Sequence, residues 1–149
     1  MNKPARFTKA EAPAAGADQV MFSLIQVGHA MEERLERALA EVGLSGPKFG
    51  ALSHLVQAGE PISLSECATR MTCVRSNITQ LMDRLEADGF VRRVEDPNDR
   101  RAVRAAVTPL GLERQAAGAK QVEKVKQDLA NTLAGVDQSA LAKVLAAIK

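Results

Sequence analysis

The sequence predicts a mainly α fold with a small β-hairpin wing, in which a winged helix-turn-helix domain sits between N- and C-terminal helices. Three observations predict it. The run from Leu64 to Leu110, LSECATRMTCVRSNITQLMDRLEADGFVRRVEDPNDRRAVRAAVTPL, passes from helical apolar spacing to an alternation of period two around a charged tip. A serine capping signal opens that run, and Asp88-Gly89 separates its helical part from its alternating part. On both flanks lie amphipathic stretches that so small a domain does not need for its own core.

Residues 1–16, MNKPARFTKAEAPAAG, show no repeating apolar face and are expected to form a flexible extension, with a basic arm as the rival reading. The rest, 17–149, reads as one unit: flanking helices at 17–43 and 109–149, and the winged domain at 46–108. From Asp18 onward Val20, Leu24, Val27, Met31, Leu35, Leu39 and Val42 recur at three- and four-residue steps, predicting a helix that stops at Gly43. Gly46-Pro47 opens a second helix carrying Phe49, Leu52, Leu55 and Val56. It ends at Gly59-Glu60-Pro61, since proline disfavours helical backbone before it, and Pro61 and Ile62 become a short extended bridge.

Ser63-Leu64-Ser65-Glu66 matches a capping box, so a short third helix runs from Leu64 to about Met71. A fourth, Val74 to Asp88, carries Ile78, Leu81, Met82 and Leu85 on one face and is about 22 Å long, enough to lie across a groove. Two strands follow, Phe90 to Glu95 and Arg101 to Thr108, joined by a loop at 96–100. Pro109 begins a long helix with Ala116, Ala119, Val122, Val125, Leu129 and Leu133 as its stripe, and a last helix after Asp137 holds Leu141, Val144, Leu145 and Ile148.

Composition narrows the function classes. A net charge of +2 does not by itself imply a polyanion partner, and between Glu60 and Thr108 eight arginines are balanced by eight acids. The surplus is confined to the hairpin, where Arg92, Arg93, Arg100, Arg101 and Arg104 face only Glu95, Asp96 and Asp99. No apolar stretch is long enough to span a bilayer, so no membrane partner and a cytoplasmic location are expected. The absence of Trp and Tyr disfavours single-strand binding by base stacking. Cys67 and Cys73 cannot build a disulfide scaffold, and with His29 and His54 they form no metal-ligand spacing. There is no phosphate loop or nucleophile signature, so no enzyme activity and no cofactor are expected.

With its elements in order, the chain resembles the MarR family of winged-helix transcription regulators over roughly residues 18–149. The segment DPNDRRAVRAAVTPLG at 96–111 matches the family's wing pattern, and TQLMDRLEADGFVRR at 79–93 is similar to the end of its recognition helix and its first wing strand. The resemblance implies a homodimeric, sequence-specific regulator of double-stranded DNA, a repressor by expectation, acting on a pseudo-palindromic operator. Arg75, Ser76, Asn77 and Gln80 would then meet base edges in the major groove, where Asn and Gln pair with adenine and Arg with guanine. Arg84 is assigned to phosphate, or to a pair with Asp83 or Asp88, and Ser63 with the first turn of the third helix to backbone phosphate. In the wing, Asp99 is expected to hold the Arg101 guanidinium for the minor groove, with Arg100 able to take the same part.

The chain departs from the family pattern at Thr72 and Val74, which puts Thr72 forward as cap of the fourth helix. The resemblance also implies a pocket for a small phenolic or carboxylate effector at His29, Pro47, Phe49 and Ser53, against which stands ordinary packing of the same side chains. Cys73, just before the recognition helix, is the candidate for thiol oxidation, whereas Cys67 reads as core. The rival from another class is a winged-helix module that binds protein rather than DNA.

Overall fold

The computed structural model describes residues 15–71 and 75–148, divided into a unit that ends at Glu33 and a unit from Arg34 onward. Helix α1 (Ala15–Ala40) begins two residues inside the segment expected to be a flexible extension. Alanine is the strongest helix former, and Asp18 places a carboxylate in the first turn, at the positive end of the helix dipole. The remainder of that extension, 1–14, lies outside the described residues. In the first unit Val20, Met21, Phe22, Leu24, Ile25 and Val27 are all exposed.

The second unit opens with the last turns of α1, closed by the bond from Leu44 N–H to Leu39 O at 3.0 Å and by Gly43 at φ 72°. Helix α2 (Gly46–Ala58) is capped by Ser45, whose hydroxyl accepts from Lys48 N–H, and carries Pro47 in its first turn. Helix α3 (Leu64–Arg70) starts as expected, Ser63 Oγ accepting from Glu66 N–H at 3.1 Å. Glu66 itself is drawn to Arg70 Nη2 at 2.7 Å, so the serine half of the capping box carries the cap. Helix α4 spans Arg75–Ala87, while Thr72, Cys73 and Val74, including the expected cap and the expected redox thiol, lie outside the described residues.

The strands differ from expectation in two ways. Strand β1 (Ile62–Ser63) pairs with β3 (Val103–Val107), which pairs with β2 (Val91–Glu95), so the expected extended bridge is the third strand of an antiparallel sheet ordered β1-β3-β2. The hairpin arms are also shorter than predicted, because Arg101 N–H turns to Asp99 Oδ1 at 2.9 Å and Ala102 N–H to Asp99 O at 3.0 Å. Local acceptance by the Asp99 side chain and by its backbone carbonyl thus withdraws Arg101 and Ala102, respectively, from the ladder.

Leu39, Leu52, Leu55, Ile78, Met82, Leu85 and Cys67 form the fully buried centre of the second unit. Each large apolar side chain withdrawn from water contributes on the order of 1.5–3 kcal/mol. Cys67, with no exposed surface, is core as expected. Helix α5 (Pro109–Thr132) is capped by Thr108 and buries Gly111 and Gly118, while Ala116 and Ala119 of the expected stripe are exposed. Helix α6 (Gln138–Ile148) buries no residue and leaves Val144, Leu145 and Ile148 in water.

Candidate nucleic-acid interface

The apolar face of α4, Ile78, Leu81, Met82 and Leu85, is buried, which forces its polar positions outward. Asn77, Thr79, Gln80 and Arg84 are exposed on that helix. Arg75 and Ser76 form its first turn, and their side chains lie outside the described residues. Both acids considered as partners for Arg84 are engaged elsewhere: Asp83 holds Arg93 Nη2 at 2.5 Å and Asp88 holds Lys48 Nζ at 2.5 Å. Arg84 is left facing solvent from the outer side of α4.

The hairpin's five arginines divide into distinct tasks once the sheet is formed. Arg93 bridges β2 to α4, giving Nη1 to Glu86 Oε2 at 2.5 Å and Nη2 to Asp83; the Asp83 bond, with the charge of Glu86, raises its already high pKa. Arg104 gives Nε to Asp96 Oδ2 at 2.6 Å. Arg92 lines a depression on the sheet with Pro61, Val107 and Leu112. Arg100 and Arg101 remain exposed at the wing tip.

Arg101 lines a second depression together with Ser63, Leu64, Ser65, Thr79 and Val103. This surface brings together the start of α3, the outer side of α4 and the wing, the three parts that the sequence assigned to one partner. Thr79 was not singled out from sequence, its signal being its place on the polar side of α4, and Ser65 entered only as part of the first turn of α3. Asp99 serves Arg101 through the backbone, its Oδ1 accepting the Arg101 amide, rather than through the expected contact with the guanidinium. The Asn98 amide, and after it the Arg104 guanidinium, hold the Asp96 carboxyl below the ordinary 3.8 of an aspartate, so it stays ionised at neutral pH.

The four residues of the expected effector pocket fall in different settings. His29 is exposed in the first unit, its Nδ1 3.8 Å from Glu32 Oε2. In the second unit Pro47 is exposed, Phe49 is half-buried and Ser53 Oγ accepts from Gln115 Nε2 at 3.3 Å. A Cβ on Gly118 would stand 2.7 Å from the Phe49 ring, so that ring packs directly on α5.

Residues 44–103 match the MarR family. The chain is 34% identical over 101 residues to the HTH-type transcriptional repressor YetL of Bacillus subtilis, a match covering 67% of this chain and 60% of YetL. Among solved structures, AbsC, a MarR family transcriptional regulator from Streptomyces coelicolor, superposes with a TM-score of 0.79 at 26% identity, covering 93% of this chain and 95% of AbsC. The transcriptional repressor CouR bound to a 23-mer DNA duplex superposes with a TM-score of 0.75 at 27% identity, covering 93% of this chain and 99% of CouR.

Proposed function

This chain carries a MarR-family domain on a MarR winged-helix fold, and from that premise we propose that it is a sequence-specific regulator of transcription that binds double-stranded DNA, most simply as a repressor. One observation carries the proposal: Thr79 of α4 shares a depression with Arg101 of the wing and with Ser63 and Ser65 at the start of α3, and Asn77 and Gln80 are exposed on the same helix. Helix α4 enters the major groove, and the wing reaches the adjacent minor groove. The fold of CouR, which binds a duplex, supports the same reading.

The test is binding to duplex DNA from upstream of the protein's own coding sequence, measured across a salt series. Contacts to several phosphates make affinity fall with a log-log slope of about −0.9 per phosphate neutralised. A flat response would assign the surface to a protein partner instead.

Asn77→Ala is expected to change which bases are preferred at one operator position, at a cost of about 1–3 kcal/mol for the best site. Unaltered selection from a randomised duplex library would remove Asn77 from base readout.

The exposed apolar residues of α1 and, separately, of α6 support a homodimer, since large apolar side chains left in water seek a partner surface. Two-fold symmetry then calls for half-sites about one helical turn apart. Sedimentation is expected to give a dimer at micromolar concentration; a monomer alone would exclude this arrangement.

Release by a small phenolic or carboxylate effector at Pro47, Phe49 and Ser53 requires parting α2 from α5. Phe49 would have to leave Gly118, and Gln115 would have to leave Ser53.

A further inference from the structure

The wing tip closes on a single carboxylate. Asp96 Oδ1 accepts the Asn98 amide at 2.8 Å, and Oδ2 takes Arg104 Nε at 2.6 Å. Arg104 lies on the central strand opposite Ser63 of β1, and its Nη1 reaches on to the Pro61 carbonyl at 3.4 Å. The Asp96 side chain is only 12% exposed, although residues 97–101 beside it are all exposed. The backbone completes the loop, with Asp96 N–H bonded to Ala102 O at 3.1 Å and Asp99 holding Arg101 from within.

We propose that Asp96 and Arg104 are positioning residues: together they latch the wing to β1 and so hold Arg101 in place for the duplex. The proposal rests on reading the wing as a DNA-binding element. An ion pair on an open surface usually contributes little, because water screens it and two long side chains must be ordered. This one is placed differently. Its carboxylate is largely withdrawn from water and organises the loop backbone, while its guanidinium spans three strands' worth of structure, from the loop after β2, through β3, to the residue before β1. Because Ser63 at the end of β1 also caps α3, the same link ties the wing to the helices that dock beside it. A loop held in its bound conformation before it meets DNA is spared the cost of being ordered there.

Charge alone and the latch predict opposite signs. Removing an acid from a surface that faces a polyanion should strengthen binding by simple electrostatics. The latch requires that Asp96→Ala weaken operator binding, by roughly fivefold, with Asp96→Asn intermediate because an amide oxygen still accepts the Asn98 N–H. In an Arg101→Ala background the Asp96→Ala loss should shrink to within about twofold, since the latch acts through Arg101.

Hydrogen exchange at the Asn98 and Arg101 amides of the free protein gives a readout that does not depend on DNA, and it should quicken in Asp96→Ala, where no side-chain oxygen is left to accept the Asn98 N–H. Equal or tighter binding by Asp96→Ala, a fully additive double variant, or unchanged exchange would each overturn the latch. Wild-type protein that ignores duplex DNA altogether would overturn the DNA-binding reading, and the latch's purpose with it. Wild-type binding alongside an unimpaired Asp96→Ala would overturn the latch alone.

Discussion

Arg101→Ala is expected to weaken operator binding by more than about tenfold at physiological salt, with the thermal transition and oligomeric state unchanged; tenfold corresponds to about 1.4 kcal/mol. The side chain is exposed and the residue is held by its backbone amide, so truncation removes the cation proposed to meet DNA without removing a support of the fold. A narrow minor groove concentrates negative potential, and an arginine placed there gains more than one on an open surface. The effect should be larger than that of Arg100→Ala, because Arg101 and not Arg100 shares the depression with Ser63, Ser65 and Thr79. Fluorescence anisotropy on a labelled duplex, with circular dichroism as the control for folding, measures both quantities. Affinity within threefold of wild type would remove Arg101 from the interface and leave α4 to carry recognition alone.

The size of this expectation follows from the charge balance of the winged segment. The segment from Glu60 to Thr108 has as many acids as arginines, and two of the hairpin's five arginines, Arg93 and Arg104, are held in ion pairs inside the domain. Attraction to DNA therefore cannot come from a broad positive field. It must come from a small number of placed charges, and each should matter more than one lysine among many. The same scarcity predicts a modest salt slope for this domain, with a loss of about one from the slope when a single contacting cation is removed.

Much of this surface was legible in the residues. The run around Ser63 identifies the start of α3 because a serine hydroxyl capping an amide three residues ahead is a local event, complete within four positions. The buried face of α4 was legible because its period repeats across a helix of 13 residues.

Strand β1 was not legible, since two residues, Ile62 and Ser63, cannot display an alternation, and their pairing with Ala105 and Arg104 spans some forty positions. The division of labour among the hairpin arginines was hidden for the same reason. Arg93 and Arg104 find Asp83, Glu86 and Asp96 only after strand register is set. The side of α5 that meets its neighbours within the second unit was not legible because apolar periodicity counts side chains, whereas this helix approaches them through Gly111 and Gly118, where side chains are missing.

Gly111 carries the largest structural consequence of that close approach, and Gly111→Ala is expected to destabilise the second unit by about 3 kcal/mol. An added Cβ would collide with the Phe90 carbonyl oxygen and stand 2.9 Å from Val107 Cγ2. Neither neighbour can yield cheaply. The Phe90 carbonyl accepts Thr108 N–H at 3.0 Å, and Thr108 in turn caps α5 by accepting Gly111 N–H at 3.0 Å. Relief of the clash must therefore lift the first turn of α5 from the sheet, losing the cap as well as the packing. A shift of roughly 10 °C in the midpoint of thermal unfolding is the corresponding signal. Gly50→Ala is the matched control, because a Cβ there meets only Met71 Cε at 3.7 Å inside α2, and a helix-interior alanine should gain up to about 1 kcal/mol. Should Gly111→Ala melt within a degree or two of wild type while Gly50→Ala behaves as expected, α5 would not be seated on the sheet as described, and the wing's attachment to the C-terminal helices would have to be redrawn.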